Sequence, residues 1–264
     1  MKSQKTLIFL LILAVAVVGY AVYKNVAKPQ IAPIDLATTT EEIVDSLDKT
    51  VNISETNTKA TEKTAQLLAK LPDLNRPVII LANLAPETEI IARNKISELS
   101  KELATEPGLF GSWLDLASYR KLIGDNMGTE EIWLFMTKQW PDHDTPYINL
   151  GNFYHYQMRD FTKSEGTFRK AISIKPSSIP SYIGMYELYA LSYADKANLA
   201  DDILLEGLKN NPKNILLFST LAEYYTEQGD IASAKKYYQE ALDVAMQLND
   251  TKLQDQLKQR ISAI

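Results

Sequence analysis

The chain has 264 residues, of which 45% are apolar and 23% charged, and a net charge of −5. An acidic balance argues against nucleic-acid binding, which draws on clustered Lys and Arg. The absence of Cys excludes disulfides, thiol catalysis and Cys-ligated metals, and ten Gly with eleven Pro are too few for a fibrous or disordered chain.

The first element is an apolar run from Leu7 to Tyr23, flanked by Lys2 and Lys5 before it and Lys24 and Lys28 after it. Its 17 residues are at the short end for a membrane-spanning helix, and Tyr20 and Tyr23 stand where aromatic residues favour the lipid–water interface. Residues 1–28 are therefore read as an uncleaved signal anchor that holds the protein to a membrane through residues 7–23. A cleaved signal peptide is the alternative, and its nearest small-residue pattern, Asn25-Val26-Ala27, is a poor match. The charge difference across the span favours a cytoplasmic N-terminus and an extracytoplasmic body, by a small margin.

Residues 29–76 are rich in Thr, Lys, Glu and Asp and poor in large apolar side chains, and they read as a solvated tether. Ile43, Leu47 and Val51 recur at helical spacing within it. Pro77 to Leu81 is a short apolar run with no second strand to pair with, so it is expected to pack as an extended lead-in to the first helix. Pro86 and the acidic Glu87 and Glu89 open that lead-in helix, over 86–106, with Ile90, Ile91, Ile96, Leu99 and Leu103 as its apolar stripe.

Beyond it the chain repeats. Pro107, Pro141, Pro176 and Pro212 are 34, 35 and 36 residues apart, and so are Trp113, Tyr147, Tyr182 and Phe218. Two residue classes thus share one period, which divides the chain into units at about 109–142, 143–177, 178–213 and 214–248. Each unit reads as two helices, and each of these prolines follows an amphipathic stretch, as a helix terminator should. The second and third units carry one and two extra residues, placed near Gln157-Met158 and Tyr193-Ala194. A helix over 251–264, with Leu253, Leu257, Ile261 and Ile264 on one face and Thr251 to Gln254 as a capping box, is expected to close the stack.

The pattern resembles the tetratricopeptide repeat family. The fourth unit resembles it most, with Leu221-Ala222, Tyr225, Gly229-Asp230 and the run Ala234-Lys235-Lys236-Tyr237-Tyr238-Gln239-Glu240-Ala241-Leu242. Small residues, among them Ala117, Gly151, Ala222, Ala171 and Ala241, fall where paired helices approach. Tyr186 departs from the pattern by replacing a small residue. The resemblance implies an all-α, right-handed α-solenoid over residues 77–264. It also implies that the first helix of each unit lines a concave groove that receives a peptide or partner helix. Carried over by position, the partner-binding residues are Asn149, Asn152, His155, Tyr156, Glu187 and Glu223, with Leu114, Ser118 and Ile183 on the same face. The family's clamp for a C-terminal carboxylate is not expected. Only Asn149 fits it, while Leu114, Ser118, Pro180 and Gly184 stand where its polar and basic side chains belong.

Asp142-His143-Asp144 reads as a solvated turn, and His155 as a surface or groove residue without a catalytic companion. No hydrolase, metalloprotease or phosphate-loop motif is present. The sequence is thus expected to encode a membrane-tethered scaffold that binds a protein or peptide. It is not expected to be an enzyme, and no cofactor, metal, small-molecule substrate or nucleic acid is implied. A self-associating component of a cell-envelope assembly is the alternative.

Overall fold

A computed structural model describes residues 71–264, and the anchor and most of the tether, residues 1–70, lie outside the described residues. Among the described residues all regular structure is helical, and no helix is long and apolar enough to cross a membrane. A lead-in helix α1 (Pro86–Thr105) precedes four pairs: α2 (Phe110–Leu122) with α3 (Asn126–Gln139), α4 (Asp144–Phe153) with α5 (Phe161–Ile174), α6 (Ile179–Leu191) with α7 (Ala200–Asn210), and α8 (Ile215–Glu227) with α9 (Ile231–Gln247). Helix α10 (Thr251–Ser262) closes the array. Each helix packs on its neighbours in sequence, as in an α-solenoid.

The turns inside the first, second and fourth pairs share one local chemistry. Gly124 and Gly229 hold positive φ, and Asp125 and Asp230 then cap the following helix by accepting from the amides of Gly128 and Ser233. In the second unit Arg159 takes the positive-φ place and Asp160 is the cap. The same arrangement, with Asn249 and Asp250, starts α10, so its cap is Asp250 rather than the expected Thr251. An aspartate immediately before the first turn accepts the otherwise unpaired amide two or three residues on, which Thr251 inside the helix cannot do.

The extra residues of the middle units are absorbed at the turns. Tyr154–Met158 forms a π-helical turn at the end of α4, the wide winding that takes up one added residue. In the third unit Ala194–Leu199 forms a 3₁₀ turn before α7.

The two periodic residue classes meet physically. Trp113 Nε1 donates to the Pro107 carbonyl at 2.9 Å, and the Tyr182 hydroxyl donates to the Pro176 carbonyl at 3.0 Å. In the first and third units the opening aromatic thereby pins the carbonyl of the preceding terminator, while the Tyr147 hydroxyl donates to the Thr137 carbonyl at 3.1 Å. Between units, Phe168 of α5 is wedged between α4 and α6. A Cβ placed on Gly151 or Gly184 would come within 2.9 or 2.6 Å of its ring. Only glycine lets the two helices close on that ring.

A second tie recurs between units. The hydroxyls of Tyr154, Tyr189 and Tyr225 donate to Glu130, Glu165 and Asp201 at 2.8, 2.9 and 2.9 Å, each acid standing 24 residues earlier. Tyr189 and Tyr225 lie on the first helix of their units and Tyr154 in the π turn that ends α4, and each acid lies on the second helix of the unit before.

Two expectations for the N-terminal edge need correction. Residues 71–76, assigned to the tether, belong to the folded region: Leu71 and Leu74 pack on the first core, Pro72 is buried, and Arg76 pairs with Glu131 at 2.7 Å. With the segment up to Ala85 they form a strap that contains no strand. Its Leu81 and Ala82 amides donate to the Ile123 carbonyl, and Val78 and Ile80 face the core while Ile79 and Leu81 face out. In α1 the buried stripe is Ala92, Ile96, Leu99 and Leu103, whereas Ile90 and Ile91 are exposed. The buried face runs back from Leu103 through Leu99, Ile96 and Ala92 to the partly buried Thr88 and Glu89, and Ile90 and Ile91 fall to one side of it.

Candidate functional site: the inner face of the array

The fifth residue after each opening aromatic falls at one register position on the first helix of its unit. These residues are Ser118, Asn152, Glu187 and Glu223, a register column with one residue per unit, at the positions that the resemblance assigns to the groove. Asn152 lies against the next unit, since a Cβ on Gly184 would sit 3.4 Å from its Oδ1. Asn149 is half-buried on the same helix. Tyr156, in the π turn, is 46% exposed and donates its hydroxyl to Glu187 Oε2 at 2.7 Å, bridging the second and third units.

The carboxylates at these positions are open to water yet partly stripped of it. Burial pushes the Glu187 carboxyl up, opposed by the hydrogen bond from Tyr156. Burial also raises Glu223, opposed by Arg260, whose guanidinium stands 3.6 Å away. On α2, burial lowers Lys121. At the C-terminal end, α8, α9 and α10 enclose a cleft of about 550 Å³ lined by Ser219, Glu223, Tyr238, Gln256 and Arg260.

His155 does not lie where the sequence reading put it. It is fully buried, its Nε2 is 2.8 Å from Ser192 Oγ, and its ring stacks on Tyr156 at 3.9 Å. The wide π turn changes the register after Phe153, so the ring turns inward and joins the second unit to the third. Burial, and then Arg159, lower its pKa to about 4, so it is neutral at physiological pH. Its Nδ1 is buried without a hydrogen-bond partner among the described residues. His143 stays at the surface in its turn, 4.9 Å from the ring of Phe110.

Of the expected groove residues, the structure brings Asn152, Tyr156 and Glu187 together across two units, sets Asn149 beside them on α4, places Glu223 one unit further, and removes His155. Sequence reasoning did not assign Tyr186, Tyr224, Glu227 or Arg260 to this face. The signal for Tyr186 was present in its replacement of a small residue. Arg260 could not be found without knowing that α10 folds against α8.

Two segments, residues 145–178 and 217–245, match the tetratricopeptide repeat family. No curated protein matches the chain. Among solved structures it is similar to the crystal structure of MamA, at 14% identity and a TM-score of 0.46, covering 64% of this chain and 99% of that one. It is also similar to TTC0263, a thermophilic TPR protein in Thermus thermophilus, at 18% identity and a TM-score of 0.45, covering 67% and 93%. A third is PilW, a widely conserved type IV pilus biogenesis factor, at 16% identity and a TM-score of 0.45, covering 68% and 94%.

Proposed function

We propose that this chain, which carries tetratricopeptide repeats, is a membrane-tethered scaffold that holds a protein or peptide partner on the inner face of its array. The observation that carries the reading is the column Ser118, Asn152, Glu187 and Glu223, with Tyr156 beside it. Its polar side chains are partly desolvated but still accessible, and they come from successive units, so an elongated ligand can meet several at once. Asn offers a donor and an acceptor to a peptide backbone, and Tyr offers apolar area with a polar tip. In this reading the role is binding rather than catalysis. The apolar run from Leu7 to Tyr23 supports the tether, and the lysines around it support an extracytoplasmic array.

The test is partner capture by the full-length chain. Replacing Asn152 and Tyr156 together by Ala should weaken capture at least about tenfold, or roughly 1–2 kcal/mol, with the helical circular-dichroism spectrum unchanged. Full capture by a folded double variant would place the site elsewhere. Alkaline carbonate extraction tests the anchor: release to the supernatant would remove the tether from the reading. A second reading, self-association, draws on the exposed Ile79, Leu81, Ile90 and Ile91 at the N-terminal edge, 60%, 71%, 60% and 54% accessible. Sedimentation of the chain at micromolar concentration separates the two.

A further inference from the structure

The fourth residue after the opening aromatic is Ala117 in the first unit, Gly151 in the second and Ala222 in the fourth. All three are buried, where helices approach one another. In the third unit this residue is Tyr186, which is only half-buried. A phenol at such a crowded position keeps part of its surface accessible to solvent. That ring meets Tyr224 of the next unit edge-on, with centroids 6.2 Å apart. Its hydroxyl lies in the field of Glu227, Glu223 and Glu187, which with burial raise its pKa.

This aromatic surface carries an excess of negative charge. Among the described residues neither Glu187 nor Glu227 pairs with a cation, and the pair of Glu223 with Arg260 is open to solvent at 3.6 Å. No group of three carboxylates or imidazoles among the described residues is close enough to hold a metal ion. Carboxylates spread around an aromatic ring suit an extended organic cation, which can lie on the ring and reach acids on either side.

We propose that the inner face between the third and fourth units is a socket for a Lys or Arg side chain of the bound partner. Tyr186 is its platform, and Glu187, Glu223 and Glu227 are its counter-charges. The proposal rests on the inner face being the partner surface and adds which part of the partner is read there.

The experiment measures fluorescence anisotropy of the full-length chain with labelled peptides of alternating Ala and a second residue: Lys, Arg, acetyl-lysine or Glu. Lys and Arg peptides should bind at least about tenfold more tightly than acetyl-lysine or Glu peptides. The double substitution Glu187→Gln and Glu223→Gln should erase most of that preference. Tyr186→Leu should weaken the Lys and Arg peptides about fivefold, while Tyr186→Phe, which keeps the ring, should change them by less than about twofold. Equal binding of Lys and acetyl-lysine peptides, or a preference untouched by the Glu→Gln variants, overturns the socket. Those variants also separate this proposal from the reading beneath it. Partner capture lost with Asn152 and Tyr156 but kept in the Glu→Gln and Tyr186→Leu variants leaves the groove standing and removes the socket. Capture kept in every variant removes both.

Discussion

The first unit and the later three differ at one position, the seventh residue after the opening aromatic. In the later units it is Tyr154, Tyr189 and Tyr225, each donating to an acid of the unit before. In the first unit it is Arg120, which has no earlier pair to reach. Its guanidinium, 2% exposed, donates instead to the carbonyls of Arg76 and Pro77 in the strap and to Asp125 at 3.2 Å. The same place in the repeat therefore joins a unit to its predecessor inside the array and to an irregular segment at its edge. A phenol suffices where a carboxylate waits on a neighbouring helix. A strap offers only backbone carbonyls, and the forked donors of Arg can satisfy several of them.

If that contrast is right, Arg120→Met should be more damaging than any substitution within the inter-unit seams. It strips the Arg76 and Pro77 carbonyls of their donor and leaves Asp125 without its buried cation, at a cost of about 3–5 kcal/mol. Chemical denaturation measures the loss, and limited proteolysis should find new cleavage within 71–85. A loss as small as that of a Tyr→Phe change would erase the distinction between edge and interior.

The seam between the second and third units is expected to be pH-sensitive. The native His155 has a pKa of about 4 against an ordinary 6.5, so the folded protein refuses a proton that the unfolded chain accepts. Stability from this group is complete above pH about 6.5 and falls as the pH drops toward 4, by about 3 kcal/mol in all. His155→Gln should flatten that slope while lowering stability at neutral pH. An unchanged slope would mean that other groups govern acid sensitivity.

The glycine wedge of the same seam gives a smaller effect. Gly184→Ala brings a methyl against the Phe168 ring, which Gly151 already confines from the other side, and should cost about 1–3 kcal/mol. Gly166→Ala meets nothing within 4 Å and should instead stabilise by about 0.5–1 kcal/mol through helix propensity. Thermal melts of the two variants should therefore move in opposite directions.

The smallest effect belongs to the inter-unit ties. Tyr189→Phe removes one hydrogen bond but leaves Glu165 paired with Lys196, so a loss of about 1 kcal/mol is expected. Tyr154→Phe and Tyr225→Phe should match it within measurement error. A large difference among the three would show that the recurring bond is not a common device.

The repeat itself was legible in the chain because its causes are local. Proline ends helices wherever it falls, apolar residues at helical spacing select a buried face, and a positive-φ residue followed by Asp sets a turn and a cap. Ala241 and the other small residues were likewise readable, since a helix pair cannot close on a large side chain there. The added residues of the middle units could be counted but not shaped. Whether one residue becomes a π turn or a loop depends on what the adjoining helix packs against. That is why His155 was expected on the inner face and is found inside. The first part of the strap escaped notice for a similar reason. Residues 71–76 have no periodicity of their own, and they are held by Arg120, more than forty positions away. The tyrosine–acid ties repeat as faithfully as the prolines, yet nothing in the sequence marks a Tyr and a carboxylate 24 residues apart as partners. Periodicity and capping act over one or two turns and leave their mark in the sequence. Partnership between side chains requires the helices to be stacked, and only the tertiary structure decides it.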